Sequence, residues 1–175
     1  MNIAKNIEKI KKQAHQAQLV VVTKKQSLED ITRVYKLGER EFGENKVQDL
    51  LQKKEKLPNN IKWHMIGHLQ TNKVKFIAPF IHMIQSVDSI KLLEKINYYS
   101  KKNDRKINCL IQIKVAKEDS KYGFSMQDAQ QLLSSNYQEK YSNTIIKGIM
   151  GMSSFTENPD IIKNEFIELK NIFNK

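Results

Sequence analysis

Lys24 closes the run Leu19-Val20-Val21-Val22-Thr23, and a primary amine at the end of an apolar, β-branched segment is a candidate nucleophile. Burial among such neighbours disfavours the ammonium form and leaves a neutral amine able to attack a carbonyl carbon. If Val20 and Val22 face one side of a strand, period-two alternation puts Lys24 on that side and Lys25 on the other. On spacing alone, a strand-end lysine reaching solvent fits equally well. Other polar residues stand where apolar runs stop. Asn45 follows Phe42-Gly43-Glu44, His64 and Gly67 lie in Trp63-His64-Met65-Ile66-Gly67-His68, and Ser86 and Asp88 follow Ile84. Such residues suit the lining of one concave pocket.

Several other chemistries lose ground on spacing. His64 and His68 have the i, i+4 separation of a helical zinc pair, but Gly67 and the β-like run from Ile61 to Ile66 argue against a helix, so no metal site is expected. Gly148-Ile149-Met150-Gly151 has the glycine spacing of an RNA-clamping loop, yet it ends an apolar strand instead of joining two helices. The chain has no Gly-x-Ser-x-Gly elbow, Walker loop or dinucleotide fingerprint, which sets aside serine hydrolases and nucleotide hydrolysis.

The elements that must position these residues alternate regularly. Ile3, Ile7, Ile10 and Ala14 share one helical face, predicting a leading amphipathic helix over residues 2–17. Residues 19–23 form a first strand of the kind buried on both faces in parallel sheets. Ser27 is a natural N-cap for a helix through Leu28, Ile31 and Val34, which stops at Gly38. Further strands are predicted over 41–43, 61–67, 83–86, 108–115 and 145–150. Helices between them run through Val47, Leu50 and Leu51, over 73–77, from Ser89 through Ile96, and from Ser125 through Leu133. A last helix should bury Ile161, Ile162, Phe166, Leu169 and Ile172.

Strict strand–helix alternation implies parallel strands joined by crossovers, hence either a doubly wound sheet or a (β/α) barrel. A doubly wound nucleotide fold calls for a glycine-rich first turn, and Thr23-Lys24-Lys25-Gln26-Ser27 has none. The expected fold class is therefore α/β, a TIM-type barrel. It forms one domain over residues 1–175 with six of the eight units that closure takes, the last two lacking. In such barrels active sites form at the carboxyl ends of the strands, which is where Lys24, Asn45 and Ser86 fall.

Composition narrows the setting. The formal charge of +11 invites a nucleic-acid partner, but only three of 30 basic residues are arginines (Arg33, Arg40, Arg105), and the lysines are spread among Glu and Asp. Planar recognition of phosphate or guanine favours arginine, so the charge reads as a solvated surface and no nucleic-acid partner is expected. The amino terminus lacks the apolar core of a signal peptide, and no apolar run approaches ~18 residues, so a soluble, cytoplasmic monomer with no membrane contact is expected. Cys109, the single cysteine, sits in an apolar strand and reads as a small buried thiol.

Six segments, in order, carry a resemblance. Leu19 to Lys24, Glu41-Phe42-Gly43-Glu44-Asn45-Lys46-Val47-Gln48, Trp63 to Lys73, Gln85-Ser86-Val87-Asp88-Ser89, Lys121-Tyr122-Gly123-Phe124 and Gly148 to Met152 resemble the pyridoxal phosphate homeostasis protein family. Its members are small relatives of the barrel domain of alanine racemase. The resemblance implies pyridoxal 5′-phosphate as cofactor, a Schiff base on Lys24 instead of Lys25, and pocket residues Asn45, Ile66, Ser86 and Met150. It implies a role in intracellular homeostasis of the cofactor without catalytic turnover; the alternative is a racemase-like enzyme acting on amino acids. Lys114 stands where the family more often has asparagine. Family members continue for two more units that carry the phosphate-binding groups, and this chain is expected to lack that anchor.

Overall fold

A computed structural model describes residues 2–116 and 122–174. Six parallel strands form one sheet in the order β1-β2-β3-β4-β5-β6. These are β1 (Val21–Val22), β2 (Glu41–Glu44), β3 (Lys62–Met65), β4 (Met83–Val87), β5 (Ile107–Gln112) and β6 (Thr144–Met150). Strand order that follows chain order, without a switch point, is barrel progression; a doubly wound sheet reverses direction partway. The (β/α) reading therefore holds for the six units present.

The helices are α1 (Ile3–Ala14), α2 (Leu28–Lys36), α3 (Val47–Lys56), α4 (Val74–Ile77, after a 3₁₀ turn at Thr71–Lys73), α5 (Ile90–Lys102), α6 (Met126–Leu133), α7 (Tyr137–Lys140) and α8 (Pro159–Phe173). Side-chain caps fix their starts. Ser27, Ser89 and Ser125 accept from the backbone N–H of Asp30, Leu92 and Asp128, and Asn158 does the same for Asp160 with Pro159 in the first turn.

The core lies between the sheet and its helices. Phe42, Trp63, Met65, Ile84, Cys109 and Ile111 are fully or almost fully buried. Register places Phe42 beside Trp63 and Ile84 beside Cys109, so one sheet face is continuous under α2 to α6. The alternate residues make the other face. Burial pushes the Cys109 thiol up to about 12, as its apolar strand suggests.

Two expectations need correction. β1 is two residues long where five were expected: only Val21 and Val22 pair with β2, beside Phe42 and Gly43, and the chain turns at Lys24 and Lys25. In α8 the buried positions are Glu165, Leu169 and Ile172, while Ile161 and Phe166 are exposed. Glu165 is drawn inward because its carboxylate accepts from the Ser154 N–H at 2.7 Å and the Ser154 hydroxyl at 2.6 Å, which rotates Phe166 outward.

Candidate functional site

β1 delivers Lys24 to the carboxyl end of the sheet. Thr23 continues the ladder past Val22, its N–H donating to Gly43 O at 2.9 Å, and its side chain is buried. The Thr23 hydroxyl donates to Glu44 Oε1 at 2.7 Å, with Gly43 O at 3.2 Å as a second acceptor. From α3, Lys53 forms an ion pair with the same Glu44 oxygen and donates to Thr23 O at 2.8 Å. Glu44 is wholly buried, and its Oε2 has no partner among the described residues. The residue before Lys24 is thus gripped by its neighbour strand and by a buried ion pair, while Lys24 itself is not.

A Cβ on Gly43 would meet Ile66 at 3.1 Å and Val20 Cγ1 at 3.4 Å, so Val20, Gly43 and Ile66 share a face opposite Thr23, and Lys24 lies in the turn that follows, closed by Gln26 N–H donating to Thr23 O at 3.0 Å. Lys25 takes a left-handed φ of 62°, so the extended backbone has ended by this residue. The apolar burial expected around Lys24 is not found. Lys24 is exposed, and its amine has no hydrogen bond or ion pair among the described residues, because edge strand β1 is covered from one side only.

Asn45, Ile66 and Ser86 are brought together through Gly67. Ile66 N–H donates to Glu44 O at 2.9 Å, and the Ser86 hydroxyl donates to Gly67 O at 2.6 Å. A Cβ on Gly67 would stand 2.4 Å from Asn45 O, so only glycine lets the loop after β3 pass this close to the end of β2. Met150 is set apart. It ends β6, pairs with Gln112, and accepts from Ile113 N–H at 2.8 Å at the sheet edge opposite β1. His64 and His68 do not form a pair: His64 is on β3, and His68 in the following loop bonds Asp88 Oδ2 through Nδ1 at 2.7 Å.

Some residues at this end were beyond sequence reading. The Tyr122 ring stacks on His68, with centroids 3.7 Å apart and planes 12° from parallel. Segment 122–124 runs beside the end of β5, with Phe124 N–H donating to Gln112 O and Lys114 N–H to Phe124 O. Gly123, at φ 144°, would put a Cβ 2.5 Å from Lys114 N, which explains the glycine of the Tyr-Gly-Phe motif. Lys121, the first residue of that motif, lies outside the described residues.

The amino end of the same sheet face is polar in a different way. Glu41 Oε2 lies 2.6 Å from His64 Nε2, Lys62 donates to Glu41 Oε1 at 2.8 Å, and Gln85 Nε2 meets His64 Nδ1 at 2.9 Å. Burial alone would raise the Glu41 carboxyl, but bonds and charge from His64 and Lys62 hold it below its usual value. His82 is pushed below the usual imidazole value, by burial first; the nearby cations add to this and Glu41 opposes it.

With this geometry in place, the relatives are informative. The model of the alanine racemase N-terminal domain matches residues 1–175. A pyridoxal phosphate homeostasis protein of Helicobacter pylori is 34% identical over 92% of this chain and 73% of its own length; one from Aquifex aeolicus is 32% identical over 89% and 68%. Among solved structures, PipY of Synechococcus elongatus with PLP bound superposes with a TM-score of 0.87 at 24% identity, covering 99% of this chain and 81% of that one. Alanine racemase from Bartonella henselae does so at 0.77 and 18%, covering 98% and 48%. At these identities the structures speak for the fold, an alanine racemase N-terminal barrel. Sequence identity and coverage go further: the chain belongs to the alanine racemase N-terminal domain family and, within it, to the pyridoxal phosphate homeostasis proteins.

Proposed function

We propose that this chain binds pyridoxal 5′-phosphate, holds it covalently through the Lys24 amine, and serves homeostasis of that cofactor without turning over a substrate. The observation that carries the reading is the setting of Lys24: an exposed amine with no partner among the described residues, at the carboxyl end of β1, held in place from behind by Thr23, Glu44 and Lys53. When bound, the cofactor supplies an aldehyde that condenses with a primary amine. Val20 and Ile66 offer apolar surface beside Gly43 for an aromatic ring, and Gly43 itself leaves room there. Asn45 and Ser86 offer polar groups at the ends of β2 and β4, with the Ser86 proton already committed to Gly67 O. Met150 would approach from the far edge. The five residues fit the amine and the ring. A doubly charged phosphate needs fixed N–H donors in place of its hydration.

The same residues support binding without turnover. Moving an α-proton between faces takes an acid/base group on each side. Asn45, Ile66, Ser86 and Met150 carry no acidic or basic side chain, which leaves the Lys24 amine as the one such group among the five.

Borohydride reduction of the protein incubated with pyridoxal phosphate, followed by peptide mapping, is expected to find the adduct on Lys24. Adduct confined to Lys25 or scattered over surface lysines would sink the assignment. Long incubation with single amino-acid enantiomers is expected to leave them unchanged, and turnover that vanishes in Lys24→Ala would replace the reading with a racemase.

A further inference from the structure

We propose that Glu41, His64 and His82 form a binding site for one divalent transition-metal ion, zinc best matching the donors, across the neighbouring strands β2, β3 and β4. Their ligating atoms all lie within 4.8 Å of one another. They come from three neighbouring strands: Glu41 opens β2, His64 is the third residue of β3, and His82 precedes β4. Two imidazoles and a carboxylate are a recurring three-ligand zinc set, which leaves a fourth position for water.

The separations suit a shared ion. Ligands at ~2.0–2.1 Å around a tetrahedral ion stand about 3.3 Å apart. Glu41 Oε2 and His64 Nε2 are 2.6 Å apart, held by a proton, and His82 Nε2 is 4.0 Å from the same oxygen, too far to bond it. The two rings face each other at a tilt of 56°, with centroids 5.4 Å apart. An ion in place of the proton would move the first pair out and the second in, each by less than about 1 Å. That is within the reach of side-chain torsions, without moving strands.

The surroundings are those of a supported ligand. Gln85 bonds His64 Nδ1, the ring nitrogen that points away from Glu41. With metal on Nε2 the proton sits on Nδ1, and Gln85 accepts it through its amide oxygen after a rotation that exchanges its two ends. Lys62 bonds Glu41 Oε1 and leaves Oε2 to the ion, though its charge lowers the affinity. Glu41 and His64 are nearly enclosed, at 12% and 4% side-chain exposure, whereas His82 at 36% opens the cluster to solvent and gives an ion its path in. The pairing of His64 with His82 was hidden from sequence spacing, which offered His68 as partner. Bound here, an ion would tie three neighbouring strands together, on the amino-end side of the level at which the chain reaches Lys24.

The test uses the 175-residue chain after chelator treatment, and its Lys24→Ala variant, so that its outcome is independent of pyridoxal phosphate. Titration with Co²⁺, read by visible absorption and competed with Zn²⁺, is expected to give one site and a higher Tm in both proteins. His82→Asn, at a partly exposed position, and Glu41→Gln are each expected to weaken binding at least tenfold. A His15→Asn, His68→Asn double variant, which removes the other two histidines, is expected to bind unchanged. Binding that survives His82→Asn at full strength, or is lost with His15 and His68, overturns the site. So does the absence of saturable binding at 100-fold excess of metal over protein.

Discussion

The two ends of β2 each carry a glutamate paired with a lysine, and the pairs are built differently. At the carboxyl end, Glu44 is wholly buried and Lys53 is 11% exposed. At the amino end, Glu41 is 12% exposed, but Lys62 is 53% exposed, and His64 shares the carboxylate. The first pair is sealed and depends on a single cation; the second is wet on one side and has two partners. A sealed pair is costly to assemble and costlier to break, whereas a wet one yields little either way. β2 therefore places its rigid ion pair directly behind Lys24, the amine proposed to take the cofactor, and leaves its adaptable one at the other end.

The sharpest separation of the two ends is expected from Lys24. Lys24→Ala should abolish the borohydride-trapped pyridoxal phosphate adduct and change unfolding stability by no more than ~0.5 kcal/mol, since the side chain is exposed and unpartnered among the described residues. Lys25→Ala should retain the adduct. Peptide mapping and urea denaturation measure the two properties, and loss of stability with loss of adduct would mean that Lys24 has a structural role.

Next in size is Lys53→Met, which strands the buried Glu44 carboxylate. The expected cost is about 3–5 kcal/mol, a large part of a typical domain's stability. Glu44→Gln added to it should recover part of that loss, the non-additivity of a true pair. Full additivity in the denaturation cycle would show that the two side chains act separately.

Gly67→Ala should follow at about 1–3 kcal/mol, because the new Cβ is driven to 2.4 Å from Asn45 O and something must shift. The same shift should disturb Ser86, bonded to Gly67 O, and so weaken pyridoxal phosphate binding in a visible-absorbance titration. An Ala variant that binds and folds like the parent would remove the Asn45, Gly67 and Ser86 assembly from the site.

How far these features were legible in the sequence differs between the two ends. All six strands were placed from the sequence, five of them as apolar runs and β2 as the short Glu41-Phe42-Gly43. The barrel over the doubly wound sheet followed from a missing glycine turn. What escaped depended on distant residues meeting. Lys53 lies in a lysine-rich stretch with Lys54 and Lys56 that reads as a solvated helix face, and nothing local marks it as the partner of Glu44, nine residues before it. Tyr122 and His68 are separated by more than 50 residues, and His82 meets Glu41 only because three strands are parallel and in register. Helix α7, a single turn, is too short for periodicity to reveal.

The smallest effect is expected at the amino end of β2, at Lys62. Lys62→Met removes a bond of 2.8 Å to Glu41 Oε1, a length no worse than those of the sealed network. Length does not decide the outcome, because water replaces much of what an exposed ammonium gives up. An exposed pair is worth about 0–1 kcal/mol, and salt screens it over a Debye length of ~10 Å at 0.1 M. Glu41 also keeps His64 at 2.6 Å, so its carboxylate is not stranded as Glu44 would be. Urea denaturation of Lys62→Met should therefore show a change under about 1 kcal/mol that shrinks further between 0.05 and ~0.5 M salt, while the Lys53→Met deficit persists across the same range. A Lys62→Met loss as large as that of Lys53→Met, and insensitive to salt, would show that the amino-end cluster is as sealed as the carboxyl-end one and that exposure does not separate the two.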